Sequence, residues 1–152
     1  MTDPLELFLY AILLITCLII SISDVRDRRI ENKHVVIIAI VSLALGFSDY
    51  SMNSLWYLGT CWAALIFLHR LRVMGGGDVK LIAAFSLSLP FVGLWFALWL
   101  VGIFGGVLAV FYLAKRSLQA KNQVKPSIPT GLPYGIAICS GFYVVLITRI
   151  IT

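Results

Sequence analysis

The stretch LIAAFSLSLPFVGLWFALWLVGIFGGVLAVFYLA, residues 81–114, runs for 34 positions without a charged side chain. As one helix it would be about 51 Å long at about 1.5 Å per residue, far more than a hydrocarbon core of roughly 30 Å. It therefore reads as two spans joined by a tight turn, with Pro90 and Gly93 as the breakers. Working outward, residues 7–23 form an uncharged run of 17, ended by Asp24-Val25-Arg26-Asp27-Arg28-Arg29. Residues 1–6 carry two acids and no Lys or Arg, which is wrong for a cleavable signal peptide despite the small residues at 21–23, so this run is expected to stay as the first helix. A short apolar run of 14 covers residues 34–47, which mildly polar residues 48–54 extend by about a turn. The third helix is expected over residues 54–69, closed by Arg70 and Arg72. After a basic loop at 115–125 and the breakers Pro126, Pro129, Gly131 and Pro133, a sixth helix is expected over residues 132–148.

Composition points the same way. The chain is 61% hydrophobic and 12% charged, with mean hydropathy +0.99, against about 45–50% apolar and about 25% charged for soluble domains. The net charge of +5 would suit nucleic acid, but the basic residues are confined to short loops between apolar runs. They read instead as topology signals that face anionic membrane lipid. Arg26, Arg28, Arg29 and Lys33 follow the first helix, Arg70, Arg72 and Lys80 the third, and Lys115, Arg116, Lys121 and Lys125 the fifth. Eleven of the 12 Lys and Arg thus share one side, with Arg149 opposite them and Asp3, Glu6 and Asp49 also on the far side. The expected fold is an all-α polytopic membrane protein of about six transmembrane helices with both termini non-cytoplasmic, a single integral-membrane domain over residues 1–152 without a soluble domain. Cys17, Cys61 and Cys139 fall in separate apolar runs with no Cys-x-x-Cys, as packing residues do. His34 and His69 lie at helix ends without a third ligand in reach, so no metal site is expected.

Two acids stand where apolar helices meet the basic loops: Asp24 at the end of the first helix and Asp78 after Gly75-Gly76-Gly77. A carboxylate near hydrocarbon is costly to keep, about 2.5–3.5 kcal/mol at a helix centre and less toward the interface. In this layout both acids lie on the cytoplasmic side and can meet if the first and fourth helices are neighbours. Two carboxylates a few ångströms apart do not both ionise cheaply, so the pair titrates as a unit. That is the aspartic-protease condition, in which one Asp activates water and the other, protonated, polarises the scissile carbonyl. The glycines permit positive φ and close passage of a substrate strand. Each acid taken singly has a plainer account: Asp24 as a solvated helix end among arginines, Asp78 as an N-terminal cap after a Gly-rich turn.

At these residues the chain resembles the prepilin peptidases, a bacterial family of polytopic aspartic proteases with a Gly-x-Gly-Asp motif, and most closely their short form of the tight-adherence (Flp-type) pili. Three blocks carry the resemblance: Ser23-Asp24-Val25-Arg26-Asp27-Arg28-Arg29-Ile30-Glu31-Asn32, then Gly75-Gly76-Gly77-Asp78-Val79-Lys80-Leu81, then Pro133-Tyr134-Gly135-Ile136-Ala137. It implies Asp24 and Asp78 as the catalytic pair, Gly75 and Gly77 as shapers of the motif, and Lys80, Pro133, Tyr134 and Gly135 as supporting elements. The implied substrate is a prepilin whose short basic leader is cut from a hydrophobic helix at the cytoplasmic face of the inner membrane. Glu31 stands where the family usually has Pro. Larger relatives carry paired Cys-x-x-Cys motifs and also N-methylate the new terminus; with no such insert here, the expectation is peptidase activity without methyl transfer, with no cofactor, neither zinc nor S-adenosylmethionine. Because a basic leader approaches a basic face, Asp27 and Glu31 are candidate leader acceptors.

Gly102 and Gly106 form a G-x-x-x-G spacing suited to close helix packing, within one chain or across a homodimer. Trp56, Tyr57, Trp62, Trp95, Trp99 and Tyr112 mostly suit interfacial belts or lipid contact. Two other functions use the same features: a small proton- or cation-coupled transporter, though its carboxylates belong near the midplane on broken helices, and a non-catalytic scaffold for pilus assembly.

Overall fold

A computed structural model describes residues 4–47, 52–121 and 132–151. Asp3, Asp49, Lys125, Pro126, Pro129 and Gly131 lie outside the described residues. Among the described residues six α-helices follow one another: α1 (Pro4–Asp27), α2 (Asn32–Gly46), α3 (Met52–Arg70), α4 (Gly76–Phe85), α5 (Phe91–Lys121) and α6 (Tyr134–Ile151), with a 3-10 turn at Ser86–Ser88. No strand occurs among the described residues.

The helix ends follow local chemistry. α1 continues one turn past the apolar run and stops where Arg28 takes φ 53°, the left-handed conformation common just beyond a helix C-terminus; the Ser23 hydroxyl closes that turn on the Arg29 carbonyl at 3.0 Å. Glu31, extended at φ −72° and ψ 135°, caps α2, its carbonyl accepting the His34 N–H at 3.1 Å.

The charge-free run breaks at Pro90 as expected, while Gly93 lies inside α5. Its two halves are unequal. α4 has ten residues, about 15 Å, roughly half of a hydrocarbon core. Ser86 and Ser88 turn their hydroxyls back onto the carbonyls of Ala83 and Phe85 at 2.8 and 2.7 Å, a back-bonding that competes with the helical ladder and tightens the segment ahead of Pro90. α5 has 31 residues, about 46 Å, because Lys115 to Lys121 are good helix formers and charge alone does not end a helix. The expected basic loop therefore begins as helix. α1 and the segment Phe91–Lys115 are long and apolar enough to cross a membrane; Asn32–Gly46 and Tyr134–Ile150 are shorter apolar helices.

α6 packs on α5, α1 and α4, and α4 in turn on α2 and α3. At their junction Phe85 and Phe142 stack with centroids 5.0 Å apart, among fully buried Leu13, Ile20, Ile38, Leu81, Ile138 and Leu146. Much of the outside is apolar too, including Phe8, Ile15, Ile40, Trp99 and Val110, as a lipid-facing surface requires. Trp56, Trp62, Trp95 and Trp99 are exposed; the Trp62 indole N–H also donates to Ser86 Oγ at 3.0 Å, and Tyr112 lies beneath the Arg28 guanidinium at 5.5 Å. Arg149, the one basic residue expected opposite the rest, donates to the Ser88 carbonyl at 2.9 Å, the favoured place for a cation at a helix C-terminus.

The G-x-x-x-G reading needs correction for packing within the chain. A Cβ at Gly102 or Gly106 would meet nothing within 4 Å, while one at Gly141 would lie 2.7 Å from Val101 Cγ2 and 2.8 Å from the Val101 backbone nitrogen. α5 and α6 therefore close on Gly141. Gly141→Ala should lower the thermal midpoint in detergent, at a cost of about 1–3 kcal/mol for overpacking, whereas Gly106→Ala should leave it unchanged or raise it; equal effects in thermal melts would contradict this packing.

Candidate active site

Asp24 belongs to the stripe of α1 that faces the core. Leu13, Cys17, Ile20 and Asp24 recur at spacings of three and four and are all buried, so helical geometry points the carboxylate inward with the apolar side chains. Asp24 is only 6% exposed. A charge so placed needs a strong partner, and the chain supplies one from 111 residues away: the Gly135 backbone N–H donates to Asp24 Oδ2 at 2.7 Å. Gly135 lies in the first turn of α6, where N–H groups have no intrahelical acceptor and the helix dipole favours an anion. The contact leaves no space for a side chain. A Cβ at Gly135 would stand 2.8 Å from Oδ2 and 3.1 Å from Cγ of Asp24. Pro133 is buried just ahead of the helix, and the Tyr134 ring crosses Gly105 of α5, where a Cβ would be 2.9 Å from Cε1.

Asp78 sits in the first turn of α4, with Gly75 as the extended N-cap at ψ 144°. Its carboxylate reaches back to the Gly75 N–H, the half of a capping box that an acid at the third helical position makes. The neighbouring glycines dock this turn on the last turn of α3 and on the turn after α1. A Cβ on Gly76 would be 3.3 Å from Cε1 of His69, whose Nδ1 pairs with the Met74 carbonyl at 3.2 Å; one on Gly77 would be 3.2 Å from Cβ of Ile30. Lys80 Nζ donates to Asn32 Oδ1 at 3.2 Å. The turn after α1, the turn before α4 and the start of α6 thus meet at one end of the bundle. Asp78 is half-buried there, within electrostatic reach of Asp24, and the Arg28 guanidinium also acts on Asp24.

Of the expected site residues, Gly75 and Gly135 touch the two carboxylates, while Gly77, Lys80, Pro133 and Tyr134 belong to the turn and helix starts that carry them. Asp27 and Glu31 are exposed. Glu31 pairs with Lys33 at 2.6 Å, and that ammonium holds its carboxyl below the ordinary range. The sequence assigns no site role to Ile30, His69, Gly105 or Arg28, although Ile30 and Arg28 fall in the first resemblance block. Ile30 has a signal, as an apolar side chain inside a charged turn. Arg28 reads only as one of the basic residues after the first helix, and its place beside Asp24 goes with its own positive φ.

Chemically, the arrangement offers a buried carboxylate fixed by main chain beside a second, more accessible one on a turn whose Gly75 is exposed. Paired acids of this kind can hold a water between a base and a proton donor. Comparison with known proteins agrees. The sequence profile described as the type IV leader peptidase family matches residues 11–110. The prepilin peptidase EppA of Methanocaldococcus jannaschii is 30% identical over 125 residues, covering 78% of this chain. The chain spans only about a third, 36%, of that relative's length. No solved structure matches.

The docking of the glycine turn is open to a double-mutant cycle. Gly77→Ala should lower the thermal midpoint by crowding Ile30, and Ile30→Ala should lose less in the Gly77→Ala background than alone, a coupling of about 0.5–3 kcal/mol. Additive losses would show that the two do not touch.

Proposed function

The chain belongs to the type IV leader peptidase family, and from that premise we propose that it is an intramembrane aspartic endopeptidase that removes the short basic leader of a Flp-type prepilin at the cytoplasmic face of the inner membrane. The observation that carries the reading is the convergence of two acids: Asp24, buried and held by the Gly135 N–H, and Asp78, within its electrostatic reach. With one proton between them, the ionised carboxylate takes a proton from water as its oxygen attacks the scissile carbonyl. The protonated one donates toward the developing oxyanion. Collapse of the tetrahedral intermediate breaks the C–N bond, and a carboxyl proton goes to the departing amine.

The proposed topology has six membrane helices with both termini non-cytoplasmic and the basic turns inside. It is supported by the contacts that gather the ends of α1 and α3 and the starts of α2, α4 and α6 on one side, with Arg149 and Ser88 at the other. In this reading α4 continues through the 3-10 turn to Pro90 alongside α3, a shorter crossing than its neighbours make. Gly75 lets the substrate backbone approach Asp78, and Gly77 seats the turn against Ile30. Lys80 ties the turn to Asn32, and Pro133, Tyr134 and Gly135 position Asp24. Asp27 is the better leader acceptor of the two proposed, because Glu31 already engages Lys33.

Co-expression with a candidate prepilin tests the reading. Asp24→Ala and Asp78→Ala should each reduce processing by at least about 100-fold; processing that persists in either variant removes that residue from the catalytic role. Gly135→Ala should reduce it by at least about tenfold through displacement of Asp24, since small misplacements of a catalytic group are costly. Asp27→Lys should slow cleavage of basic leaders more than Glu31→Lys, and unchanged kinetics in both would dispose of the acceptor role.

A further inference from the structure

Helices α3 and α5 meet at the ends remote from the carboxylates. Tyr57, early in α3, contacts Phe91, the first residue of α5, with ring centroids 5.6 Å apart, and its hydroxyl donates to the Leu89 carbonyl at 3.4 Å. Beyond this clasp the two helices do not pack closely on each other among the described residues. An apolar cleft of about 470 Å³ lies between them. Cys61 and Leu65 of α3 face Leu98 and Gly102 of α5 across it, and the lining also includes Met74 and Tyr134. Those two residues directly precede Gly75 and Gly135, the glycines that touch Asp78 and Asp24.

We propose that this cleft seats the apolar membrane segment of the prepilin, so that the chain leaving it passes Met74 and Tyr134 and carries the leader junction to the two aspartates. The proposal rests on the peptidase reading above. Among the described residues no charged side chain lines the cleft, so its occupant is hydrocarbon and not the basic leader. Clasped at one end and bounded at the other by the residues that precede Gly75 and Gly135, the cleft fixes which end of an occupant reaches the chemistry. Gly102 adds room on the α5 wall, since a Cβ there would meet nothing within 4 Å; in lipid, helices associate through such close, small-residue contacts. Seating the apolar segment positions the scissile bond, which is where most of the gain from orienting a substrate lies.

The native thiol of Cys61 gives a direct test. Single cysteines are placed along the apolar segment of a full-length prepilin, joined to the peptidase by a short bifunctional maleimide in membranes, and mapped by mass spectrometry. Adducts at Cys61 should come from one helical face of the prepilin and vanish with Cys61→Ser. Adducts joining Cys61 to a second copy of this chain, or none to the prepilin, would overturn the proposal in favour of a dimer contact or a lipid acyl chain. Kinetics supply a second readout: Gly102→Leu should raise KM for full-length prepilin about tenfold, the scale of an overpacked contact, with little change in kcat, while Gly59→Leu on the open face of α3 should not. An unchanged KM for Gly102→Leu would also overturn it. Failure of the wild-type protein to cleave any prepilin would instead sink the peptidase reading, and this proposal with it.

Discussion

A carboxylate among apolar side chains persists only if something nearby favours its charge, and in this chain that support comes from the main chain. The Asp24 side chain lies on the buried stripe of α1 and takes the Gly135 N–H at 2.7 Å. The unsatisfied amides and dipole of the α6 N-terminus serve as its counter-charge. Because the donor is a backbone group on another helix, the hydrogen bond fixes how α1 and α6 sit together as well as where the acid points. The Phe85 and Phe142 stack and the close passage of α5 over Gly141 hold α4, α5 and α6 in register around that contact.

The second acid is supported differently. Asp78 folds back on its own N-cap, and the turn that carries it is held by contacts at Gly76 and Gly77 and by the bond from Lys80 to Asn32. One carboxylate is therefore locked by tertiary structure, the other by a local turn docked on the end of α3 and the turn after α1. This asymmetry suits a pair whose members do different work, one held in place and the other at the open side.

Much of the frame was legible in the sequence because it rests on strong one-dimensional signals. Pro90 breaks the long apolar run, the basic turns after the first and third helices mark helix ends, and Asp78 follows a glycine run. Lengths were harder. The early end of α4 depends on Ser86 and Ser88 bonding back to their own turn and on Trp62 reaching Ser86, whereas α5 continues into the basic segment because nothing there breaks a helix. The G-x-x-x-G spacing misdirected the packing because spacing identifies a face without identifying its neighbour; Gly141, which carries the contact, sits in no such pattern. At the site, the Pro133-Tyr134-Gly135 block stood out, but the bond that gives Gly135 its importance joins residues 111 positions apart, beyond any local reading.

At Gly75 and Gly135 the space a methyl group would need is already held by a carboxylate oxygen of Asp78 and of Asp24, and at Gly76 and Gly77 a methyl group would press on His69 and Ile30. Alanine scanning assumes that replacement by alanine subtracts atoms and so measures what the lost group contributed. Here the same replacement is an insertion. A mutational survey of this protein would record its gentlest substitution as among the harshest, and a ranking of positions by side-chain loss would pass over the residues on which the geometry of the acids depends.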